Sequence, residues 1–187
     1  MYDGAAPMRT GPQAEPPPED PASVQPEADH EAVARKILLD QLTGQARSRS
    51  ELAGKLARKH VPADVAARLL DRFEEVGLID DGAFARDWVQ SRQAGKGLAR
   101  RALAMELRRK GVASEVIEDA LETVEPDQEV DAARNLVRRK LRSLERFDNA
   151  TQVRRLTGML ARKGYSPGVA FQVVREEIAG AEELFEG

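Results

Sequence analysis

From residue 31 to residue 178 the apolar positions recur every three or four residues, the spacing of one helix face. Turn and capping signals cut that pattern into nine segments. In the first, Val33, Ile37, Leu38 and Leu42 share a face, and Thr43-Gly44 ends it. Ser48-Arg49-Ser50-Glu51 reads as a capping box, in which the Ser48 hydroxyl accepts from the Glu51 backbone and Glu51 reaches back. The helix it opens carries Leu52 and Leu56 and stops near Lys59-His60. Pro62 suits the first turn of a third helix, where a missing N–H does no harm. Val65, Leu69, Leu70, Phe73 and Val76 form its apolar face, and Gly77 ends it.

Asp80 or Asp81 is a suitable N-cap for a fourth helix, with Phe84, Ala85 and Trp88 as a core stripe. Gly95 and Gly97 bracket Lys96 and allow the backbone to turn there. Leu103 and Leu107 follow on a fifth helix that Lys110-Gly111 closes. Val116, Ile117, Ala120, Leu121 and Val124 mark a sixth, from about Ser114 to Val124. After the break at Pro126, a seventh helix is expected over 127–145, with Val130, Ala133, Val137, Leu141 and Leu144 inward. The eighth carries Val153, Leu156 and Leu160 and ends at Lys163-Gly164. Ser166-Pro167, an N-cap and N1 pair, opens the ninth, marked by Val169, Val173 and Val174. The acidic end from Ala179 is expected to fray.

One pattern, Leu-x-x-x-Leu-x-x-Lys, appears three times. With Lys59, Lys110 and Lys163 in register, Leu52, Leu103 and Leu156 align, as do Leu56, Leu107 and Leu160. Val65, Val116 and Val169 align after them, and Arg58, Arg109 and Arg162 each precede the Lys. The spacings of 51 and 53 residues define a repeat of three helices. His60 takes the place of Gly111 and Gly164, and reads as a helix stop because histidine tolerates a left-handed backbone comparatively well. Such units stack on their sequence neighbours. The expected fold is therefore all-α: a tandem array of three three-helix units forming an elongated, curved body. The boundaries are 31–79, 80–125 and 126–180, with an acidic end at 181–187. No alternating β-branched run supports a strand.

Composition changes the picture mainly at the N-terminus. Residues 1–30 hold seven of the ten prolines and a charge balance of −5, with few large apolar side chains. A segment of that kind cannot bury enough surface to offset its ordering entropy, so a disordered tail is expected. The absence of cysteine excludes disulfides, thiol catalysis and cysteine-bound zinc, and points to a reducing, cytoplasmic compartment. No run of 18 apolar residues offers a membrane span, and the N-terminus lacks the features of a signal peptide. Aromatic content of 4% argues against a base-stacking platform.

Catalytic constellations are not evident. His30 and His60 are the only histidines, which leaves little room for a Ser-His-Asp set. Gly95-Lys96-Gly97 and Gly54-Lys55-Leu56 both lack the Ser or Thr of a phosphate loop, and Arg100 replaces the last glycine of a dinucleotide fingerprint. Asp80-Asp81 is explained by capping rather than by metal binding. No enzymatic activity and no cofactor are expected.

Three stretches carry a family likeness: Arg47-Ser48-Arg49-Ser50-Glu51-Leu52; Val76-Gly77-Leu78-Ile79-Asp80-Asp81 with Phe84-Ala85; and Lys96-Gly97 followed by Glu106-Leu107-Arg108-Arg109-Lys110-Gly111-Val112. Their order and spacing resemble the RecX family, regulators of the RecA recombinase in bacteria, over residues 31–178. The resemblance implies a modular three-helix array without catalysis. It implies binding along the RecA–DNA filament, inhibition of RecA's ATP hydrolysis and strand exchange, and in some members weak DNA binding. A monomer is expected, acting in DNA repair and recombination and the SOS response.

The charge pattern adds candidate contact residues. Residues 86–112 carry a balance of +6, residues 113–131 a balance of −8, and residues 132–163 a balance of +8. Arg134, Arg138 and Arg142 recur every four residues as a stripe, and Arg101 and Arg108 share a helix face. The acidic block offers one fate for these cations, as local ion pairs. The other is an anionic partner, either a protein groove or phosphates. Lys96, Arg100, Arg101, Arg108, Arg109, Lys110, Arg134, Arg138 and Arg142 are the candidate partner-binding residues. Acidic third helices (Asp71, Glu74 and Glu75; Glu115, Glu118, Asp119 and Glu122) disfavour insertion into a DNA groove. Non-specific DNA binding remains the alternative to a RecA-directed protein module.

Overall fold

In the computed structural model the backbone is described for residues 25–186 and side chains for residues 30–181. Residues 1–24, most of the expected tail, and the side chains of 182–187 lie outside the described residues. Nine helices form and no strand occurs among the described residues: α1 (Gln25–Gly44), α2 (Arg49–Arg58), α3 (Ala63–Glu75), α4 (Asp81–Lys96), α5 (Arg100–Arg109), α6 (Ser114–Glu122), α7 (Pro126–Leu141), α8 (Asn149–Arg162) and α9 (Pro167–Glu186). Helix α1 starts ahead of Glu31, inside the Pro-rich stretch, and α9 continues through the end expected to fray.

Each set of three helices encloses its own core. Ala34, Leu38, Leu52, Leu56, Val65 and Phe73 close the first, Phe84, Leu103, Leu107, Ile117 and Leu121 the second, and Val137, Leu156, Leu160, Val173 and Val174 the third. The aligned leucines of the repeat are therefore the packing seam: Leu56, Leu103, Leu107, Leu156 and Leu160 are all 0% exposed. Burying a leucine stabilises by about 1.5–3 kcal/mol, which is why these positions recur while their neighbours vary. The Ser48–Glu51 capping box forms, Asp80 Oδ1 accepts from the Ala83 amide at 2.8 Å, and His60 takes a left-handed φ of 58°.

Several local expectations fail for identifiable reasons. Val33 is 52% exposed because Ala34 and Leu38, four apart, form the seam of α1. Val76 is 63% exposed because it caps α3, where the chain already leaves the helix for Gly77. Gly95 stays helical, and only Gly97, at φ 59°, makes the turn. Helix α7 stops at Leu141, four residues early, because i→i−3 bonds tighten the chain: Ser143 donates to Lys140 O and Leu144 to Leu141 O. That overwinding brings Leu144 back into the third core.

The hydrogen bonds and ion pairs between units join neighbours only, among the described residues. Between the first two, Ser48 Oγ donates to Lys110 O at 2.6 Å and Lys110 Nζ reaches Glu51 Oε1 at 2.7 Å. The Arg49 amide, an unpaired first-turn donor of α2, finds Asp81 Oδ1 at 2.8 Å. Between the second and third, the Ala99 amide donates to Lys163 O at 3.0 Å, Lys163 Nζ to Lys96 O, and Tyr165 Oη to Gly97 O at 3.1 Å. Ser48 and Ala99 are equivalent N-caps, and Lys110 and Lys163 equivalent C-caps, so one junction is used twice. Gly111 and Gly164 follow those C-caps. A Cβ on Gly111 would overlap Ser50, and one on Gly164 would lie 2.6 Å from the Ala102 amide nitrogen. His60 is the same position in the first unit, and no neighbouring unit packs against it among the described residues.

Candidate binding face on the second helices

The junctions set the second helices end to end. The C-terminal end of α5 meets the N-terminal end of α2 through Ser48 and Lys110, and the C-terminal end of α8 meets the N-terminal end of α5 through Ala99 and Lys163. Partial charges of opposite sign face each other at both joints. At a 1.5 Å rise per residue the 10, 10 and 14 residues of these helices trace a contour of about 50 Å.

That row is rich in uncompensated positive charge. Lys55 and Arg58 of α2, Arg101, Arg108 and Arg109 of α5, and Arg155 and Arg162 of α8 form no ion pair with a carboxylate among the described residues, while the Arg154 charge acts on Asp148 and helps to lower its pKa after the Thr151 hydrogen bonds. The two acids on the row are occupied. Glu51 holds Lys110, and Glu106 Oε2 accepts from Trp88 Nε1 at 2.9 Å with Arg92 Nε 3.3 Å away, close enough for an ion pair but not aligned to donate. Arg92 and Lys110 lie over the Trp88 ring, at 4.1 and 4.2 Å from its centre. In the third unit, Arg155 and Arg146 both lie over Phe147, at 4.0 and 5.0 Å.

The nine sequence-selected residues divide into three groups. Arg101 and Arg108 are exposed and unpaired, Arg109 touches only the Met105 carbonyl at 3.3 Å, and Lys96 and Arg142 are exposed. Arg100 and Lys110 are spent on structure: Arg100 reaches the Val124 carbonyl at 3.3 Å, and Lys110 fastens two units. Arg134 and Arg138 are neutralised by α9. Arg134 meets Asp131 at 3.2 Å and Glu176 at 3.1 Å, and Arg138 holds Glu177 by two bonds, at 2.6 and 2.9 Å. Hydrogen bonds to Glu176 and Glu177 raise the pKa of Arg134 and Arg138 above the ordinary guanidinium value. Glu176 is held below the usual carboxylate range by Gln172 and then by Arg134. Arg142, the cap of α7, keeps helical dihedrals and lines the same cleft against α9 as Arg138.

Sequence reasoning passed over Lys55, Arg58, Arg154, Arg155 and Arg162. The register that aligned Arg58, Arg109 and Arg162 held the signal, since equivalent residues on stacked units recur along one array. Where units two and three meet, burial and the nearby Arg139 and Lys96 charges lower the Lys163 pKa. No helix among the described residues is long and apolar enough to cross a membrane.

Known sequences and structures resemble the whole array. Family profiles match three consecutive stretches: the first RecX three-helix domain at 34–73, the second at 80–121 and the third at 127–174. The regulatory protein RecX of Streptomyces lividans is 51% identical over 154 residues, 82% of either chain. That of Thermobifida fusca is 47% identical over 178 residues, 95% of this chain and 92% of its own. The crystal structure of RecX from Lactobacillus salivarius superposes with a TM-score of 0.73 at 20% identity, over 81% of this chain and 99% of that one, a likeness of fold. With half its residues shared with RecX proteins over four-fifths of its length, and all three domains in order, this chain belongs to the RecX family of regulatory proteins.

Proposed function

We propose that this protein binds the RecA–DNA filament as a cytoplasmic monomer and inhibits RecA's ATP hydrolysis and strand exchange, restraining recombination and repair during the SOS response. Family membership supports RecA as the partner. The observation that supports the interface is the end-to-end row of second helices, most of whose cations form no ion pair among the described residues. Leaving charges unpaired on a surface gains little for folding, whereas an anionic partner rewards it with faster and more selective association. Arg101, Arg108 and Arg109 are central to that row; Lys55, Arg58, Arg154, Arg155 and Arg162 extend it to either side. The protein acts by binding and performs no chemistry of its own.

Direct, non-specific DNA binding is the second reading, favoured by the same cations. The two separate in one experiment: RecA's DNA-dependent ATPase titrated with the protein at two DNA concentrations. A filament-directed inhibitor keeps its potency when naked DNA is in excess. A DNA binder loses it, and its affinity for naked DNA falls steeply with salt.

A further inference from the structure

Between the first and second units, Arg47, Lys55, Arg58 and Arg109 line a cleft of about 440 Å³ together with the Glu51–Lys110 pair. Glu51 is the only acid there and Lys110 already neutralises it. Four cations from two units therefore face one space with no carboxylate partner among the described residues. Like charges held this close repel, and the junction brings them together regardless. The walls are polar, with Leu52 as the one large apolar side chain and no aromatic ring, so nothing there would hold a nucleobase or an acyl chain. The repeat does not demand the arrangement: Lys55 aligns with Glu106, which is engaged with Trp88 and Arg92, and with Met159.

We propose that this cleft is a binding site for a compact oligophosphate, two or more linked phosphates carried free or on the tail of a nucleotide. Arg58 and Lys55 on α2 and Arg109 on α5 engage it from opposite sides, through the bidentate and point-charge contacts that guanidinium and ammonium groups make to phosphate. An occupant touching both helices ties the first unit to the second beside the Lys110–Glu51 fastening. The cleft shares Lys55, Arg58 and Arg109 with the row proposed to meet RecA, and its test reads oligophosphate binding with no RecA present.

Trp88 provides the readout. It is the only tryptophan, and its ring lies 4.2 Å from Lys110 Nζ, which lines the cleft. The full-length protein is titrated with sodium tripolyphosphate at constant ionic strength, following Trp88 emission and calorimetric heat. The expected result is saturable one-to-one binding, weakened about tenfold or more in Lys55→Gln/Arg58→Gln, whose melting temperature without ligand equals the parent's. ATP and a single phosphodiester oligonucleotide are run in parallel. ATP matching tripolyphosphate identifies a nucleotide's phosphate tail as a source, and tripolyphosphate binding more tightly identifies the free anion. The proposal is overturned if tripolyphosphate shows no saturable binding, if only the oligonucleotide binds, or if the double variant binds as tightly as the parent.

Discussion

Gly77 and Gly111 share a φ of 73°, so alanine at either position meets the same backbone penalty. Their surroundings differ. A Cβ at Gly77 finds nothing within 4 Å, while one at Gly111 runs into the Cβ and hydroxyl of Ser50, on the first turn of α2 in the neighbouring unit. The left-handed conformation costs an L-residue about 1–2 kcal/mol, and replacing glycine returns about 0.4–1 kcal/mol by restricting the unfolded chain. Gly77→Ala should therefore lose about 0.5–1 kcal/mol. Gly111→Ala adds an overpacking cost of about 1–3 kcal/mol, since Ser50 sits on a helix and cannot swing aside, for a total of about 1.5–4 kcal/mol. Gly164→Ala should fall in the same range or above it, because there the obstacle is the Ala102 backbone. Urea unfolding of the three variants measures this. Equal losses at 77 and 111 would mean that the units do not meet as described, and that these glycines serve only the turn.

Leu107, 0% exposed at the centre of the second core, should cost about 2–5 kcal/mol on truncation to alanine; a loss under about 1 kcal/mol in chemical denaturation would put it on the surface. Asp81→Ala removes the acceptor of the Arg49 amide while leaving the Asp80 cap of α4 intact, and should lower stability by about 1–2 kcal/mol by the same measurement. The Tyr165 phenol, 3% exposed, is pushed up to about 12 by burial and secondarily by Glu129. Its folded pKa lies above the unfolded value of 10.0, so the unfolded chain loses the proton first. The stability it contributes is intact below pH 10 and drains away between pH 10 and 12, by up to about 2–3 kcal/mol. Tyr165→Phe should flatten that alkaline decline, and an unchanged slope would show that the phenol is not held neutral.

The helices were legible because each segment carried its own evidence: a seam of leucines, a cap and a glycine stop. The threefold register then reinforced segments that are weak alone, such as α2 with only Leu52 and Leu56 buried. What sequence did not disclose lies between units and between distant helices. Lys110 reads as one more exposed cation until the fold places Glu51, 59 residues away, against it. Arg134 and Arg138 read as a stripe facing a partner because the acids nearest in sequence occupy residues 113–131. Their main neutralising groups are instead Glu176 and Glu177, 42 and 39 residues on, brought over by the packing of α9 on α7. Charge blocks along a chain are one-dimensional, whereas pairing depends on which helix faces which. The same limit hid the end-to-end joining of α8, α5 and α2, the feature that turns scattered basic residues into a row.

On the proposed function, the unpaired cations of that row, and not the paired ones, meet the RecA filament. Two neutralised variants test it in RecA's DNA-dependent ATPase: Arg101→Gln/Arg108→Gln and Arg134→Gln/Arg138→Gln. The first pair is exposed and should leave stability within about 0.5 kcal/mol. Inhibition by the first variant should weaken about tenfold or more, while the second should inhibit nearly as well as the parent. Full inhibition by a folded Arg101→Gln/Arg108→Gln variant would contradict it.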